Sequence, residues 1–158
     1  MPNWWSKNKL KLGLDLQGGS QLLLQVETDE AIQEKLSTQT EDIRAELTNA
    51  NIKPQDLKLV NNIISVKVND DDIYKLENII QENNQLDVEY DKGVANVNFT
   101  EQFIREFQNS VILQSLEIIR KRVDEVGTNE PIIQVQGKQR VLVQLPGLEN
   151  PDRIKSLL

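Results

Sequence analysis

At 158 residues, with 38% apolar content and a formal net charge of −7, the chain is long enough for one or two small domains with cores of their own. Its acidity argues against nucleic acid as a partner, because phosphate binding needs clustered Lys and Arg. It has no Cys and no His, which removes thiol nucleophiles, Ser-His and Cys-His pairs and the usual zinc ligands.

No stretch approaches the roughly 18 uncharged apolar residues of a membrane helix, and Met1-Pro2-Asn3-Trp4-Trp5 lacks the apolar run of a signal peptide. Trp4 and Trp5 stand beside Lys7, Lys9 and Lys11, a mixture that recurs at the membrane-water boundary and is equally usual at chain ends. From Leu10 to Val26 the even positions Leu12, Leu14, Leu16, Leu22, Leu24 and Val26 are apolar, a period-two pattern that buries one face of a strand. Gly18-Gly19 interrupts this run, so two strand segments joined by a bulge or bend are expected, with positive φ at one glycine or both. Thr28-Asp29-Glu30 caps a helix over Asp29–Ala50 whose Ile32, Leu36, Ile43, Leu47 and Ala50 keep one apolar stripe. Pro54 bars its continuation. Strands at Asp56–Val60 and Ile63–Val68 flank Asn61-Asn62, a pair that tolerates the left-handed backbone of a tight hairpin. A second helix over Asp70–Glu82 turns Ile73, Leu76 and Ile80 inward, and Leu86–Tyr90 reads as a closing strand. The order β-α-β-β-α-β predicts the α+β class and a ferredoxin-like unit over residues 1–92, with these strands in one sheet and both helices on one face.

After Lys92-Gly93 the same elements return over residues 93–158. A strand at Val94–Asn98 leads to Thr100-Glu101, the cap of a long helix that carries Phe103, Phe107, Ile112, Leu116, Ile119, Val123 and Val126 and ends at Gly127. Strands at Ile132–Gln136 and Arg140–Leu145 follow, with turns at Gly137-Lys138 and Pro146-Gly147 and a helix start at Asn150-Pro151-Asp152. Ile43-Arg44 through Ile73 and Leu76 lie in the same order as Ile119-Arg120 through Ile154 and Leu157, Pro54 matching Pro131, which points to an internal repeat. The second βαββα unit lacks its last strand, so the chain is expected to be cut from something longer. Open sheet edges are then expected near Val94–Asn98 and Arg140–Leu145, where an extended polypeptide would add as a strand.

Little of this is catalytic. Leu12-Gly13-Leu14-Asp15-Leu16-Gln17-Gly18-Gly19 offers adjacent glycines after a strand but neither the Lys-Ser/Thr pair of a P-loop nor a G-x-G-x-x-G opening a helix, so a bulge explains it better than a phosphate cradle. Asp70-Asp71-Asp72 lacks the spacing of a calcium loop and suits the first turn of a helix. Arg120-Lys121-Arg122 reads as a solvated helix face with salt bridges to Glu117 and Glu125. No carboxylate is placed by sequence in an apolar pocket with a partner, so no active site, cofactor or metal is expected.

The octet Leu12 to Gly19, followed by Leu22-Leu23-Leu24-Gln25-Val26, resembles the signature that opens the periplasmic region of the SecD family. Many members have Arg at the position of Gln17. A second block is similar to the family's next conserved stretch: Arg120, Arg122, Val123, Gly127, Glu130, Pro131, Gln136, Gly137, Pro146 and Gly147, with Gln134, Arg140 and Gln144 between them. The likeness covers roughly Lys9 to Leu158. It implies the first periplasmic domain of an inner-membrane protein of the RND superfamily, which works with SecF and the SecYEG channel and uses the proton-motive force to promote export of unfolded preprotein. It implies a binding role and no enzyme activity. The residues by themselves reach only an α+β scaffold. That scaffold also suits a ferredoxin-like regulatory module binding a small ligand, or an RND efflux porter domain, which should lack the octet.

Overall fold

The computed structural model describes residues 10–13, 20–127 and 130–146. The bend expected at Gly18-Gly19, Trp4-Trp5 and the helix start at Asn150-Pro151-Asp152 lie outside them. In chain order the elements are β1 (Leu10–Gly13), β2 (Ser20–Val26), α1 (Thr28–Asn49), β3 (Asp56–Val60), β4 (Ile63–Lys67), a 3-10 turn at Asp70–Asp72, α2 (Ile73–Gln81), β5 (Leu86–Asp91), β6 (Val94–Phe99), α3 (Glu101–Glu125), β7 (Ile132–Gln136) and β8 (Arg140–Leu145). The α+β class is as expected.

The local chemistry behaves as the residues dictate. Asn61 and Asn62 both take left-handed backbone, with φ of 49° and 65°, and close the β3–β4 hairpin with Val60 opposite Ile63. Thr100 caps α3, its hydroxyl accepting the Phe103 N–H at 3.2 Å. α1 instead begins at Thr28 itself. Along α1, Ile32, Leu36, Ile43 and Leu47 are buried, Ala50 is exposed, and the gap in the stripe is filled by Gln39 and Thr40. The Thr40 hydroxyl donates to the Leu36 carbonyl at 2.8 Å and the Gln39 side-chain oxygen accepts from the Asn83 amide at 3.4 Å, so each of these buried side chains has a partner.

Strand pairing departs from expectation. Two antiparallel four-stranded sheets form, here called A (order β1-β2-β8-β7) and B (order β3-β4-β6-β5). Leu12–Val26 therefore does not join Asp56–Val60, Ile63–Val68 and Leu86–Tyr90 in one sheet. Its two segments are antiparallel partners, Leu10 opposite Val26 and Gly13 opposite Leu23, so the chain reverses between Gly13 and Ser20. In the ferredoxin-like order the first strand lies between the third and fourth. In sheet B that place, between β4 and β5, is held by β6, and beside β8 the matching place in sheet A is held by β2. The two units have exchanged their first strands.

Two physical causes account for the exchange. A 22-residue helix is about 33 Å long, against about 23 Å for the seven-residue β2 that it leaves, so α1 carries the chain past the end of that strand. In addition, Lys92-Gly93, with φ of 48° and 77°, is a two-residue turn that sets β6 directly against β5 at almost no loop-closure cost. The expected boundary at 92/93 thus falls inside a hairpin. The compact units are residues 1–31 with 108–158, and residues 32–107, the chain crossing between them within α1 and within α3. Each half of the described chain, β1-β2-α1-β3-β4 and β5-β6-α3-β7-β8, gives one hairpin to each sheet.

Each unit has its own core. In residues 32–107, Ile64, Val66 and Val97 of sheet B pack with Leu36, Ile43 and Leu47 of α1 and Leu76 and Ile80 of α2. Phe99 continues that core onto Phe103, with ring centroids 4.6 Å apart. In the other unit the buried groups are Leu22, Leu24 and Val26 of β2, Val141, Val143 and Leu145 of β8, and Val111, Ile119 and Val123 of α3.

Candidate functional site

The sequence places its two motif blocks far apart, and the fold brings them together. β2, which follows the octet, pairs with β8 of the second block from Ser20 opposite Leu145 to Gln25 opposite Arg140. The strand that completes the sheet, β7, pairs Ile132 with Gln144 and Gln136 with Arg140. Within the octet, Leu12 and Gly13 belong to β1, opposite Leu24 and Leu23, while Leu14, Asp15, Leu16, Gln17, Gly18 and Gly19 lie outside the described residues, as does Gly147.

The rest of the second block divides into packing, turn and surface positions. Val123 is 1% exposed and packs inward. Gly127 closes α3 at φ 71°, its N–H donating to the Asp124 carbonyl at 3.1 Å. Glu130 takes φ 51° ahead of the half-buried Pro131, and Gly137 takes φ 66° in the β7–β8 turn. Gln136 and Pro146 are exposed. Arg120 and Lys121 are exposed on α3 beside Glu117, Asp124 and Glu125 around a shallow depression, and Arg122 is half-buried. Ion pairs on the described helices include Arg44–Glu41, Lys75–Asp72 and Arg105–Glu101.

Sequence reasoning missed two features of sheet A. The first is its outer face. Because opposed residues in an antiparallel sheet share a face, the side turned away from the core carries the exposed Gln25, Gln134 and Gln136 and the half-buried Gln21 and Gln144 around half-buried Leu23 and buried Leu142, with Arg140 as the charged group among its described side chains. Each carboxamide both donates and accepts, so this face can satisfy a peptide backbone. The signal was present in the alternation of Gln with Leu, Ile and Val along β2, β7 and β8. The second feature is Gln139, whose side-chain amide donates to the buried Thr28 hydroxyl at 2.6 Å while its backbone carbonyl accepts the Val26 N–H at 2.7 Å, tying the β7–β8 turn to the start of α1.

The perturbed carboxylates lie elsewhere. Partial burial, with Asp42 and Glu82 nearby, raises Glu46 above the usual carboxylate value, and the Lys58 ammonium donating at 2.7 Å lowers Asp56. Burial, with Glu77 nearby, raises Tyr90. All three belong to the unit of residues 32–107.

Comparison with known proteins matches these elements twice. Residues 4–30 match the SecD/SecF GG motif, and residues 112–158 match the N-terminal part of the P1 domain of protein translocase subunit SecDF. Among curated relatives, protein translocase subunit SecD of Rickettsia typhi is 33% identical over 153 residues, covering 96% of this chain and 30% of the relative. The subunit SecD of Calditerrivibrio nitroreducens is 35% identical over 156 residues (95% and 30%), and that of Magnetococcus marinus 34% over 163 residues (100% and 31%). The chain thus spans about three tenths of the length of these relatives. No solved structure matches.

Proposed function

We propose that this chain, which belongs to the SecD family of protein translocase subunits, works as a passive grip on an extended polypeptide at the periplasmic face of the inner membrane. Movement comes from membrane helices elsewhere in the longer protein, with SecF and the SecYEG channel as partners and the proton-motive force as the energy source. Among the described residues no helix is long and apolar enough to cross a membrane. The observation that carries the reading is the pairing of β2 with β8, which unites the GG-motif hairpin and the P1 block in one sheet whose outer face is rich in amides. Such a surface offers hydrogen bonds to any backbone and selects weakly among side chains, as a carrier of many substrates requires. Gly127, Glu130 and Gly137, each with left-handed backbone, support the grip by holding the turns beside β7 and β8.

The test is a titration of labelled, unfolded preprotein into the isolated chain, followed by backbone amide signals, with ATP turnover measured in parallel. Weak saturable binding is expected, because an extended segment loses conformational entropy on contact. Saturable ATP hydrolysis would refute a passive role, and no binding at any reachable concentration would refute the grip.

A further inference from the structure

The edges expected from sequence, Val94–Asn98 and Arg140–Leu145, are interior strands: β6 lies between β4 and β5, and β8 between β2 and β7. The edge strands are β1 and β7 in sheet A and β3 and β5 in sheet B. Sheets ordinarily guard such edges with charged side chains, since a free row of N–H and C=O groups templates another strand. Three of these edges follow that rule: β1 contains Lys11, β3 contains Asp56 and Lys58, and β5 contains Asp87, Glu89 and Asp91. β7, with the sequence Ile-Ile-Gln-Val-Gln, has no charge, no proline and no glycine.

We propose that the free edge of β7 accepts an extended, uncharged polypeptide segment as a fifth strand of sheet A. Among the described residues β7 pairs with β8 alone, and none of them pairs with the other row of its backbone groups. Ile132 and Val135 stand 42% and 44% exposed, one on each face, and would flank the apolar side chains of an added strand. Gln134 and Gln136 extend the recognition to amides on the outer face. An extended backbone is the partner that matches a row of alternating N–H and C=O at strand spacing, which identifies the occupant as polypeptide. The lack of charge on β7, in a chain of net charge −7, favours uncharged segments over acidic ones. This inference rests on the grip reading above and locates its contact.

The experiment uses the whole 158-residue chain, isotopically labelled, and a ten-residue peptide of alternating Val and Thr, with a second peptide in which Glu replaces each Thr. The uncharged peptide is expected to perturb and protect amides of residues 132–136, and the acidic one to bind more weakly. Val135→Lys, at an exposed edge position and checked for folding by circular dichroism, is expected to weaken binding about ten-fold or more, and Glu89→Lys on β5 to leave it unchanged. Perturbation confined to other strands, or Val135→Lys binding like the parent, overturns the β7 site. If unfolded preprotein still binds such a variant as it binds the parent, the grip stands and the edge does not; if the parent binds no polypeptide, both fall. Concentration-dependent dimers that Val135→Lys abolishes and the peptide fails to displace would assign the edge to a second copy and overturn the proposal.

Discussion

Sheets A and B share one strand order, with a hairpin from each half of the described chain and the inner strands β2 and β8, or β6 and β4, side by side. Their buried faces are alike: Leu22, Leu24, Val141 and Val143 in one and Ile64, Val66 and Val97 in the other are fully buried. Their outer faces and edges differ. Sheet B exposes Lys58, Lys67, Asp87, Glu89 and Asp91, whereas the described side chains of sheet A expose Gln25, Gln134, Gln136 and Arg140, with an uncharged edge at β7. The core positions answer to packing and are held to one pattern, while the outward positions are free to diverge. One scaffold used twice therefore carries a guarded surface and a receptive one.

The largest effect that would test the separateness of the two sheets is a core truncation in sheet B. Ile64→Ala should cost about 2–5 kcal/mol and speed hydrogen exchange in β3 to β6 while β7 and β8 keep their protection. Equal loss in both sheets would show one cooperative unit. In sheet A, Gln139→Ala removes the amide that satisfies Thr28 and should cost about 1–3 kcal/mol, read as a lower urea midpoint for the β2 and β8 amides. At the β3–β4 turn, Asn62→Val puts a β-branched side chain at φ 65° and should cost about 1–2 kcal/mol in thermal unfolding, felt in sheet B.

The smallest effect concerns Glu46. A carboxyl whose value is raised on folding binds its proton more readily folded than unfolded, so its charge begins to destabilise the fold as pH rises through 4.5 and does so fully above the raised value. Glu46→Gln should therefore raise the melting temperature slightly at about pH 7 and leave it unchanged at about pH 3. A gain of the same size at both pH values would remove the electrostatic explanation.

The elements were legible because their signals are local. Asn61-Asn62, Thr100, Pro54 and the apolar alternation of β4 and β8 act within a few residues, and the structure puts strands and helices there within one or two positions. The partner of β2 was not legible, because Leu22, Leu24 and Val26 would serve equally well against β4 or β8 and no turn chooses between them. Two hints were available: the 22 residues of α1 exceed what a return beside a short strand needs, and Lys92-Gly93 between two alternating runs is a hairpin signal. Of the candidate site, the motif residues were readable, but the glutamine face emerged only when register put β2, β8 and β7 side by side.

The exchange of first strands also sets an order in time. During synthesis the unit of residues 32–107 is complete soon after Phe107 leaves the ribosome, since all of sheet B lies within that stretch. β2 must wait for β8, about 120 residues behind it, and until then its leucines have no sheet to enter. Nascent chains stalled near residue 145, with Phe107 outside and β8 still inside the ribosome, should resist protease over β3 to β6 and be cut between β1 and α1; protection of both regions at that length would show that sheet A has another way to form.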